Sequence, residues 1–481
     1  MSTDVKGLDA NVLGRFDSII MAIAGSAPAY SIAATTATLV AAVGLAGPAA
    51  LLWCGIPMFG IAWAFSYLGR TQANAGASYA WVGRSLHPFL GYLAGWALVV
   101  SATLFMVAGS LPAGSVTLAL FSAPWANNVG LVTIVGSLWF LMMAIMVMIG
   151  IRITARVQWM MSSVEIAILL VFAVLAIIHA VGHAVVPFSW SWWGFARFHG
   201  LAGFAAGGLV AAFYYWGWDV SANLNEETQN ARKTPGLGGL WGVLVIFLLF
   251  QIFTVVTNIS LPGKVINANS ADVLAVLGQV VWPGIGGKLL ALAVMLSTIA
   301  TLETSLIQVT RSLFAMGRDH TVPRAFGQVH PVWRTPWIAS IVVGVVSLVL
   351  FVLSNFVGSV SAVMSDAINA IGLQIAIYYG LAGLSVVVAY RAILLRSWGN
   401  AIFIGLWPLI GAVFMFWLLF QVVGSLNAVS LDVGFGTMAM GLIPLVIYWA
   451  KGSRYFRQPY LVGVTANTDL PDVDLKTGTL E

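Results

Sequence analysis

Long apolar runs, each ended by a few polar or small residues, dominate the hydrophobic pattern of this chain. Twelve of them are long enough to cross a bilayer, which takes about 20 residues of helix. They lie at 17 to 44, 48 to 69, 87 to 115, 129 to 150, 155 to 182, 200 to 231, 238 to 262, 284 to 316, 336 to 354, 359 to 390, 400 to 424 and 431 to 451. The pattern predicts an all-α membrane protein with twelve transmembrane helices.

Composition and charge agree with a membrane protein. Hydrophobic residues make up 60% of the chain and charged residues 8%, whereas roughly a quarter of a soluble domain is charged. An even number of spans puts both termini on one side, and of the 21 lysines and arginines all but Arg197, Lys264 and Lys288 fall there. The positive-inside rule then predicts cytoplasmic termini in the cell membrane. The net charge of +5 follows from this asymmetry, so nucleic acid is not an expected partner.

The first span contains residues that favour a break in the helix. Gly25, Ser26 and Ala27 are followed by Pro28, which lacks an amide and fits the first turn of a new helix. We predict one half-helix before Gly25 and a second that starts near Pro28, with Tyr30 in its first turn. The free amides and positive dipole end of the second half-helix would suit a carboxylate. A proline kink is the alternative.

The sixth span is expected to break at Gly217, between an aromatic run and an acidic segment. A break frees backbone carbonyls that protein, water or ligand must satisfy, so it is a candidate site for an ammonium group. Aromatic side chains would form its wall, with cation–π contact. A glycine kink between packed helices is the alternative. The residues predicted at this break are Phe213, Tyr214, Trp216, Gly217, Trp218 and Asp219.

The two predicted breaks lie five spans apart. If spans one to five and six to ten are copies of one unit, the odd number of spans inverts the second copy. Paired interrupted helices in two inverted repeats mark the site of secondary transporters. The predicted units are a cytoplasmic tail, two repeats, two further helices and a second cytoplasmic tail, at 1–16, 17–182, 200–390, 400–451 and 452–481. Residues 1–14 and 452–481 are expected to be loose.

Four motifs occur in order along the chain. They are 75–79 before span three, 88–96 at its start, 214–235 at the sixth-span break and 310–324 after span eight. Together they resemble the amino acid, polyamine and organocation (APC) superfamily of transporters, over most of residues 15–395. The resemblance implies a LeuT-like fold with alternating access. It also implies a small amine-bearing solute, most simply an amino acid. The Gly-Ser-Gly usual in the first span of that superfamily reads Gly-Ser-Ala here.

Ionisable side chains deep in a membrane are costly and usually functional. Glu165, Asp219, Glu303 and Asp366 lie within predicted spans, and the role of Asp366 stays open. Some APC members carry a lysine aligned with Glu165, whose charge is thought to replace a sodium ion. An apolar environment favours the neutral form of a carboxyl group, so we predict that Glu165 or Glu303 carries a coupling proton. The alternative is a carboxylate bonded to span-end amides or paired with Arg156.

Other acidic and hydroxyl residues have two interpretations each. Asp219 either caps the second half of span six or attracts an ammonium group. Glu226 and Glu227 are expected to be solvated caps. The candidates for a sodium site are Ser297, Thr298 and Thr301, although hydroxyls are also ordinary helix-packing groups. With carboxylates available, we expect protons as the coupling ion and no metal or organic cofactor.

The resemblance implies a permease for amino acids, and the buried carboxylates predict that it is coupled to protons. Amides from Gly25 to Tyr30 would hold the carboxylate, and carbonyls from Phe213 to Trp216 the ammonium. A polyamine or other organic cation is the alternative that the acidic residues favour, and a channel or transporter-like sensor is the alternative from another class. Motifs of metalloproteases, serine hydrolases and P-loop enzymes are missing from the sequence, so we expect no enzyme. The single Cys54 is expected to be a small core residue.

Overall fold

The computed structural model describes residues 7–269, 272–354, 356, 360–424, 426–464, 473–474 and 479–480. Two of the basic residues assigned to the cytoplasmic side, Lys6 and Lys476, lie outside the described residues. The body of the protein is helical. Near the C-terminus, the strands Val473–Asp474 (β1) and Thr479–Leu480 (β2) pair antiparallel, with Val473 opposite Leu480.

The α-helices follow the apolar runs and the short segments between them. They are α1 Arg15–Gly25, α2 Pro28–Val43, α3 Gly47–Thr71, α4 Ser78–Ser85, α5 Pro88–Ala119, α6 Ala123–Ala126, α7 Val129–Ile149, α8 Ile151–His183, α9 Gly200–Tyr214, α10 Val220–Asn223, α11 Thr234–Ser260, α12 Gly263–Ala268, α13 Val273–Val281, α14 Gly286–Arg318, α15 Trp337–Ser354, α16 Val360–Ala389, α17 Trp398–Asn400, α18 Trp407–Val423, α19 Ala428–Met440 and α20 Leu442–Ala450. A π-helical turn, Ala401–Leu406, joins α17 to α18. Proline occupies the first turn of α2, α5 and α11, where its missing N–H removes no helical bond.

Among the described residues, ten helical stretches are long and apolar enough to cross a membrane. The chain is therefore a multi-pass membrane protein. One of these stretches, Arg15–Thr71, contains α1, α2 and α3, with a turn between α1 and α2. The helix α9 is apolar and shorter, with 15 residues. Helix is the expected form of such runs because lipid offers no partners to backbone amides and carbonyls. The count of twelve spans stays a prediction.

The most buried of the long helices are α5, α14 and α16. Both α14 and α16 pack along α5, whereas α1 packs along α11 and α2 along α9. The helices α1, α2 and α10 also contact α14. The three short helices α1, α2 and α10 therefore meet against α14 inside the body. Cys54, in α3, is fully buried, which confirms it as a core residue.

One end of the body, which we call the terminal face, is where α1 begins and where α14 and α16 end. Residues 453–464 fold back over this face. Tyr455 stacks on Tyr79 with ring centroids 4.5 Å apart, and its hydroxyl donates to the Tyr79 carbonyl at 3.0 Å. The Val464 amide donates to the Ala389 carbonyl at 2.7 Å. The expectation of a loose tail from residue 452 is therefore wrong for 453–464.

Candidate functional site

The first junction, between α1 and α2, is a sharp turn of two residues, Ser26 and Ala27. The Ser26 amide still donates to Ala22 and Ile23 at the end of α1. Ala27 then adopts left-handed backbone angles, with φ +47°, and α2 begins at Pro28. A left-handed alanine is uncommon and marks strain that the surroundings hold in place.

The amides at the start of α2 are bound by the protein itself. The Ala29 amide donates to Glu165 Oε1 at 2.9 Å, and the Tyr30 amide donates to Ser297 Oγ at 3.2 Å. The next amide, on Ser31, donates to the Ala27 carbonyl at 2.7 Å. Free amides at a helix start favour an anion, and here the carboxyl group of Glu165 occupies that position.

The second junction, residues 215–219, joins α9 to α10. Gly217 has a φ of +94°, an angle that glycine adopts without strain. The Trp216 amide donates to the Phe213 carbonyl at 3.1 Å. None of the hydrogen bonds among the described residues ends on the carbonyls of Tyr214, Tyr215 or Trp216. This junction therefore presents free backbone oxygens at the negative end of α9.

The two junctions touch through their glycines. A Cβ atom added to Gly25 would overlap the Gly217 carbonyl, and one added to Gly217 would overlap the Gly25 carbonyl. Both positions therefore require glycine, and the backbones of the two junctions are in contact at these residues.

Asp219, in the second junction, is fully buried. Its carboxylate accepts hydrogen bonds from the hydroxyls of Tyr379, at 2.9 Å, and Tyr378, at 3.1 Å. Tyr378 in turn accepts from Trp216 Nε1 at 2.7 Å. The carboxylate makes no capping bond to α10, so the structure does not place it as a helix cap. The sequence analysis missed the tyrosine pair, although two adjacent phenols inside an apolar span are a signal for a buried polar partner.

Aromatic rings surround the two junctions. Tyr30 packs edge-on against Phe105 with ring centroids 5.8 Å apart, and Phe105 against Trp216 at 5.7 Å. Trp218 packs on Tyr379 at 5.6 Å. Tyr30, Trp216 and Trp218 are 1%, 3% and 1% exposed, so the site is closed to solvent.

Glu303 lies apart from the junctions, between α14 and α8. It is fully buried. Gln158, from α8, donates through Nε2 to Glu303 Oε2 at 2.5 Å and to the Ala300 carbonyl at 2.7 Å. Arg156, the alternative partner considered for Glu165, is exposed on α8, while Glu165 bonds to the amide of Ala29. The sequence analysis did not single out Gln158.

The hydroxyls proposed for a sodium site all have partners within the protein. Ser297 accepts from the Tyr30 amide, and Thr298 donates to the Val294 carbonyl at 2.7 Å. Thr301 donates to the Ala24 carbonyl at 2.6 Å and to the Ser297 carbonyl at 2.9 Å. Thr301 therefore ties α14 to the end of α1.

Salt bridges close the terminal face below the second junction. Arg311 and Glu227 are both fully buried and pair through two hydrogen bonds, at 2.9 and 3.0 Å. Arg318 pairs with Glu226 in the same way, and Glu226 also accepts from the Ala75 amide at 2.9 Å. The expectation that Glu226 and Glu227 are solvated caps is therefore wrong for Glu227, whose buried charge is matched by a guanidinium.

The other carboxylate predicted within a span lies near the C-terminal helices. Asp366 accepts from Asn427 Nδ2 at 2.8 Å and from the Ser430 hydroxyl at 2.9 Å. It joins α16 to the start of α19 and takes no part in the junctions.

Comparison with known proteins decides the family. The amino acid permease family matches residues 13–449 of the chain. The chain belongs to this family. The match spans both junctions and the residues that surround them.

Three relatives of this permease are transporters by name. It is 26% identical to the methylthioribose transporter of Bacillus subtilis (strain 168), over 69% of this chain and 74% of that protein. It is 25% identical to the serine/threonine exchanger SteT of the same organism, over 60% of this chain and 64% of that protein. It is 25% identical to the low-affinity putrescine importer PlaP of Escherichia coli (strain K12), over 86% of this chain and 87% of that protein. Family and relatives thus identify a transporter and not an enzyme.

Proposed function

We propose that this permease imports a small organic amine across the cytoplasmic membrane, coupled to protons, by alternating access. Twelve helices form a five-plus-five inverted repeat with two additional helices. The first span consists of α1 and α2 and the sixth of α9 and α10, each interrupted at its junction. Both termini and the terminal face are cytoplasmic.

The distribution of charge at the junctions carries this proposal. Glu165 occupies the start of α2, where the carboxylate of an amino acid would otherwise bind. The carbonyls of the second junction are free, and Asp219 lies beside them. Among α1, α2, α9 and α10, the single Lys or Arg is Arg15, at the far end of α1. A cation therefore fits this site better than an anion.

On this proposal, one carboxylate binds the cargo and others bind the proton. Two phenol hydroxyls stabilise the anionic form of Asp219, which attracts the ammonium group of the cargo. Glu165 and Glu303 each have one oxygen without a protein partner, so they suit the gain and loss of a proton. Cargo and proton bind at different carboxylates, which permits both to move in the same direction.

The closed site supports alternating access. Opening towards the cytoplasm would separate Glu227 from Arg311 and Glu226 from Arg318. Both pairs join the segment after the second junction to α14. Binding of cargo at the second junction would act directly on the segment that these pairs hold.

An amino acid is the second candidate. Trp218 Nε1 is a buried donor without a protein partner, and it would suit an oxygen on the cargo. The serine/threonine exchanger among the relatives favours the same class, whereas the putrescine importer covers more of the chain. For an amino acid, protonation of Glu165 would release the Ala29 amide to the incoming carboxylate.

Purified protein in proteoliposomes tests the proposal. Labelled putrescine, arginine and leucine are offered from an acidic exterior to a neutral interior. We expect saturable accumulation of putrescine that a protonophore abolishes, and no accumulation of leucine. Protein-free liposomes are the control.

Other outcomes point elsewhere. Accumulation of leucine without putrescine would establish the amino acid candidate in place of the amine. Flux that only equilibrates the solute would indicate a channel, and binding without flux would indicate a sensor. Accumulation that persists without a proton gradient and requires sodium would overturn the coupling.

A further inference from the structure

Four buried polar atoms lie along one contact between helices and have no protein partner. They are Gln158 Oε1, Ser162 Oγ and Glu165 Oε2 on α8 and Glu303 Oε1 on α14. All four side chains are fully buried. Polar atoms at this depth in a membrane protein need a partner, because hydrocarbon offers none.

The three residues of α8 share one face of the helix. Gln158, Ser162 and Glu165 are spaced by four and three residues, which places them one above another. At 1.5 Å per residue they cover about 10 Å of helix. Ser162 therefore lies between the side-chain amide of Gln158 and the carboxyl group of Glu165.

On the facing helix, α14, the polar residues that meet α8 have a similar spacing and run in the opposite direction along the helix. Ser297 and Glu165 bind neighbouring amides, those of Tyr30 and Ala29, and six residues later Glu303 binds Gln158. Six residues cover about 9 Å of α14, close to the length on α8. We call this contact, with Gln158, Ser162, Glu165 and Glu303, the α8–α14 seam.

We infer that the α8–α14 seam binds a row of water molecules that conducts a proton between Glu165 and Glu303. Buried water typically fills sites where several polar groups lack partners. The Ser162 hydroxyl can donate and accept at once, so it continues the row between the carboxyl groups. This inference rests on the proposed proton coupling and assigns it a path.

The transfer conserves atoms and charge. The O–H bond of a protonated Glu165 breaks as a new O–H bond forms on the adjacent water. Each water, and the Ser162 hydroxyl, gives up one proton as it receives another. The last transfer forms an O–H bond on the Glu303 carboxylate. Glu165 becomes a carboxylate that accepts the Ala29 amide, and one proton has moved towards the terminal face.

Few other charges act on this path. The helices α2, α5, α7, α11 and α13 carry no Asp, Glu, Lys or Arg. Asp17 of α1 accepts from Trp159 Nε1 at 2.7 Å, and Arg156 is exposed near the start of α8. On α14, Arg311 lies two turns beyond Glu303 and is paired with Glu227, while Lys288 lies at the opposite end. The path thus runs between two carboxyl groups through uncharged surroundings.

Ser162→Ala tests the seam, with Ser347→Ala as the matched control. Ser347, on α15, is also fully buried with an unpartnered hydroxyl, but it lies outside the seam. Proton-driven uptake is compared with counterflow of labelled cargo at equal pH, which needs no net proton movement. We expect Ser162→Ala to lower proton-driven uptake about tenfold, a modest loss for a proton-transfer group, and to leave counterflow within about twofold of the native protein. Ser162→Thr, which keeps a hydroxyl, should restore the uptake.

Infrared difference spectra give a second readout on the folded protein. The carboxyl band of Glu165 should shift when Glu303→Gln, as the single substitution, removes the other end of the path. In a protein that also carries Ser162→Ala, Glu303→Gln should no longer shift that band. The relay is wrong if Ser162→Ala and Ser347→Ala retain equal proton-driven uptake, or if the Glu165 band ignores Glu303→Gln. A native protein without proton-driven uptake would instead overturn the proposed coupling, and the relay with it.

Discussion

The two junctions have the same construction and opposite chemistry. Each is a turn at a glycine between two helix ends, and the two glycines touch. At the first junction, the amides of Ala29 and Tyr30 are bound by side chains of α8 and α14. At the second, the carbonyls of residues 214–216 are left free. Neighbouring side chains therefore fill the helix end at the first junction and leave the one at the second junction open.

The carboxylates beside the junctions differ in the same way. Glu165 accepts a backbone amide and thereby completes the first junction. Asp219 accepts two phenol hydroxyls and leaves the backbone of the second junction untouched. On the proposed function, Glu165 takes the place of a ligand and Asp219 attracts one.

The largest expected effect separates these two carboxylates. Asp219→Asn should weaken cargo binding about hundredfold, because a hydrogen bond to a charged group contributes up to about 3 kcal/mol. Glu165→Gln keeps an oxygen for the Ala29 amide, so it should leave counterflow at equal pH within about twofold and abolish proton-driven accumulation. Counterflow and proton-driven uptake, measured side by side, check both variants.

Asp366→Asn is the control for these substitutions, since Asp366 is a carboxylate bonded to Asn427 and Ser430 and distant from the junctions in the fold. It should leave both assays unchanged. The roles assigned to the two carboxylates would be reversed if Asp219→Asn abolished only proton-driven accumulation and Glu165→Gln weakened cargo binding.

The next effect tests the contact between the junctions. In Gly25→Ala, the added methyl group would overlap the Gly217 carbonyl, so we expect destabilisation by about 1–3 kcal/mol and a matching loss of uptake. Gly344→Ala is the control, because no atom lies within 4 Å of its added Cβ. Thermal unfolding of both variants in detergent gives the comparison. Equal melting temperatures of the two variants would show that the contact between Gly25 and Gly217 does not contribute to the stability of the fold.

A smaller effect is expected from one hydrogen bond at the second junction. Tyr379→Phe removes one of the two donors to Asp219, which should cost about 1 kcal/mol and weaken cargo binding about fivefold. Tyr390→Phe removes a similar buried hydroxyl, which donates to the Tyr67 carbonyl at 2.8 Å. That control should alter stability and leave the apparent affinity unchanged. Equal affinities in the two variants would remove the tyrosines from the site.

The smallest effect separates pH dependence of folding from pH dependence of coupling. Burial raises the pKa of Asp272, which precedes α13 outside the spans, to about 6. Between the ordinary pKa of an aspartate and this value, the folded protein holds a proton that the unfolded chain releases, so stability is highest in acid and falls as pH rises towards 6. Asp272→Asn removes the titrating carboxyl group, so it should flatten this fall in stability. Because asparagine still caps the helix, the melting temperature should change by about 2 °C or less.

Uptake by Asp272→Asn should keep its dependence on external pH, because the carboxylates proposed for coupling, Glu165 and Glu303, lie elsewhere. A flattened pH dependence of uptake in this variant would place part of the acid effect outside the junctions and the seam.

The sequence located features that act on their own backbone. Proline fixes its own angle and lacks an amide, which is why the start of α2 at Pro28 could be predicted. Glycine permits a positive φ, which is why Gly217 could be identified as a turn. The apolar runs likewise predicted helices, because lipid leaves the backbone no other partner.

Partners across the fold could not be predicted in the same way. Gln158 and Glu303 are 145 residues apart in sequence, and Asp219 and Tyr379 are 160 residues apart. Glu227 was expected in solvent because Arg232 and Lys233 are near in sequence, whereas Arg311 on α14 pairs with it in the interior. A single sequence gives residue types and local spacing, but which helix faces which carboxylate depends on packing.

The segment that covers the terminal face affects how the protein is best handled. Tyr455 fills the space beside Tyr79, and Val464 is anchored to the end of α16. A purification tag or fluorescent fusion that replaces residues 453–464 would leave an aromatic surface bare in detergent and invite aggregation. Fusions that leave residues 453–464 in place keep that surface covered.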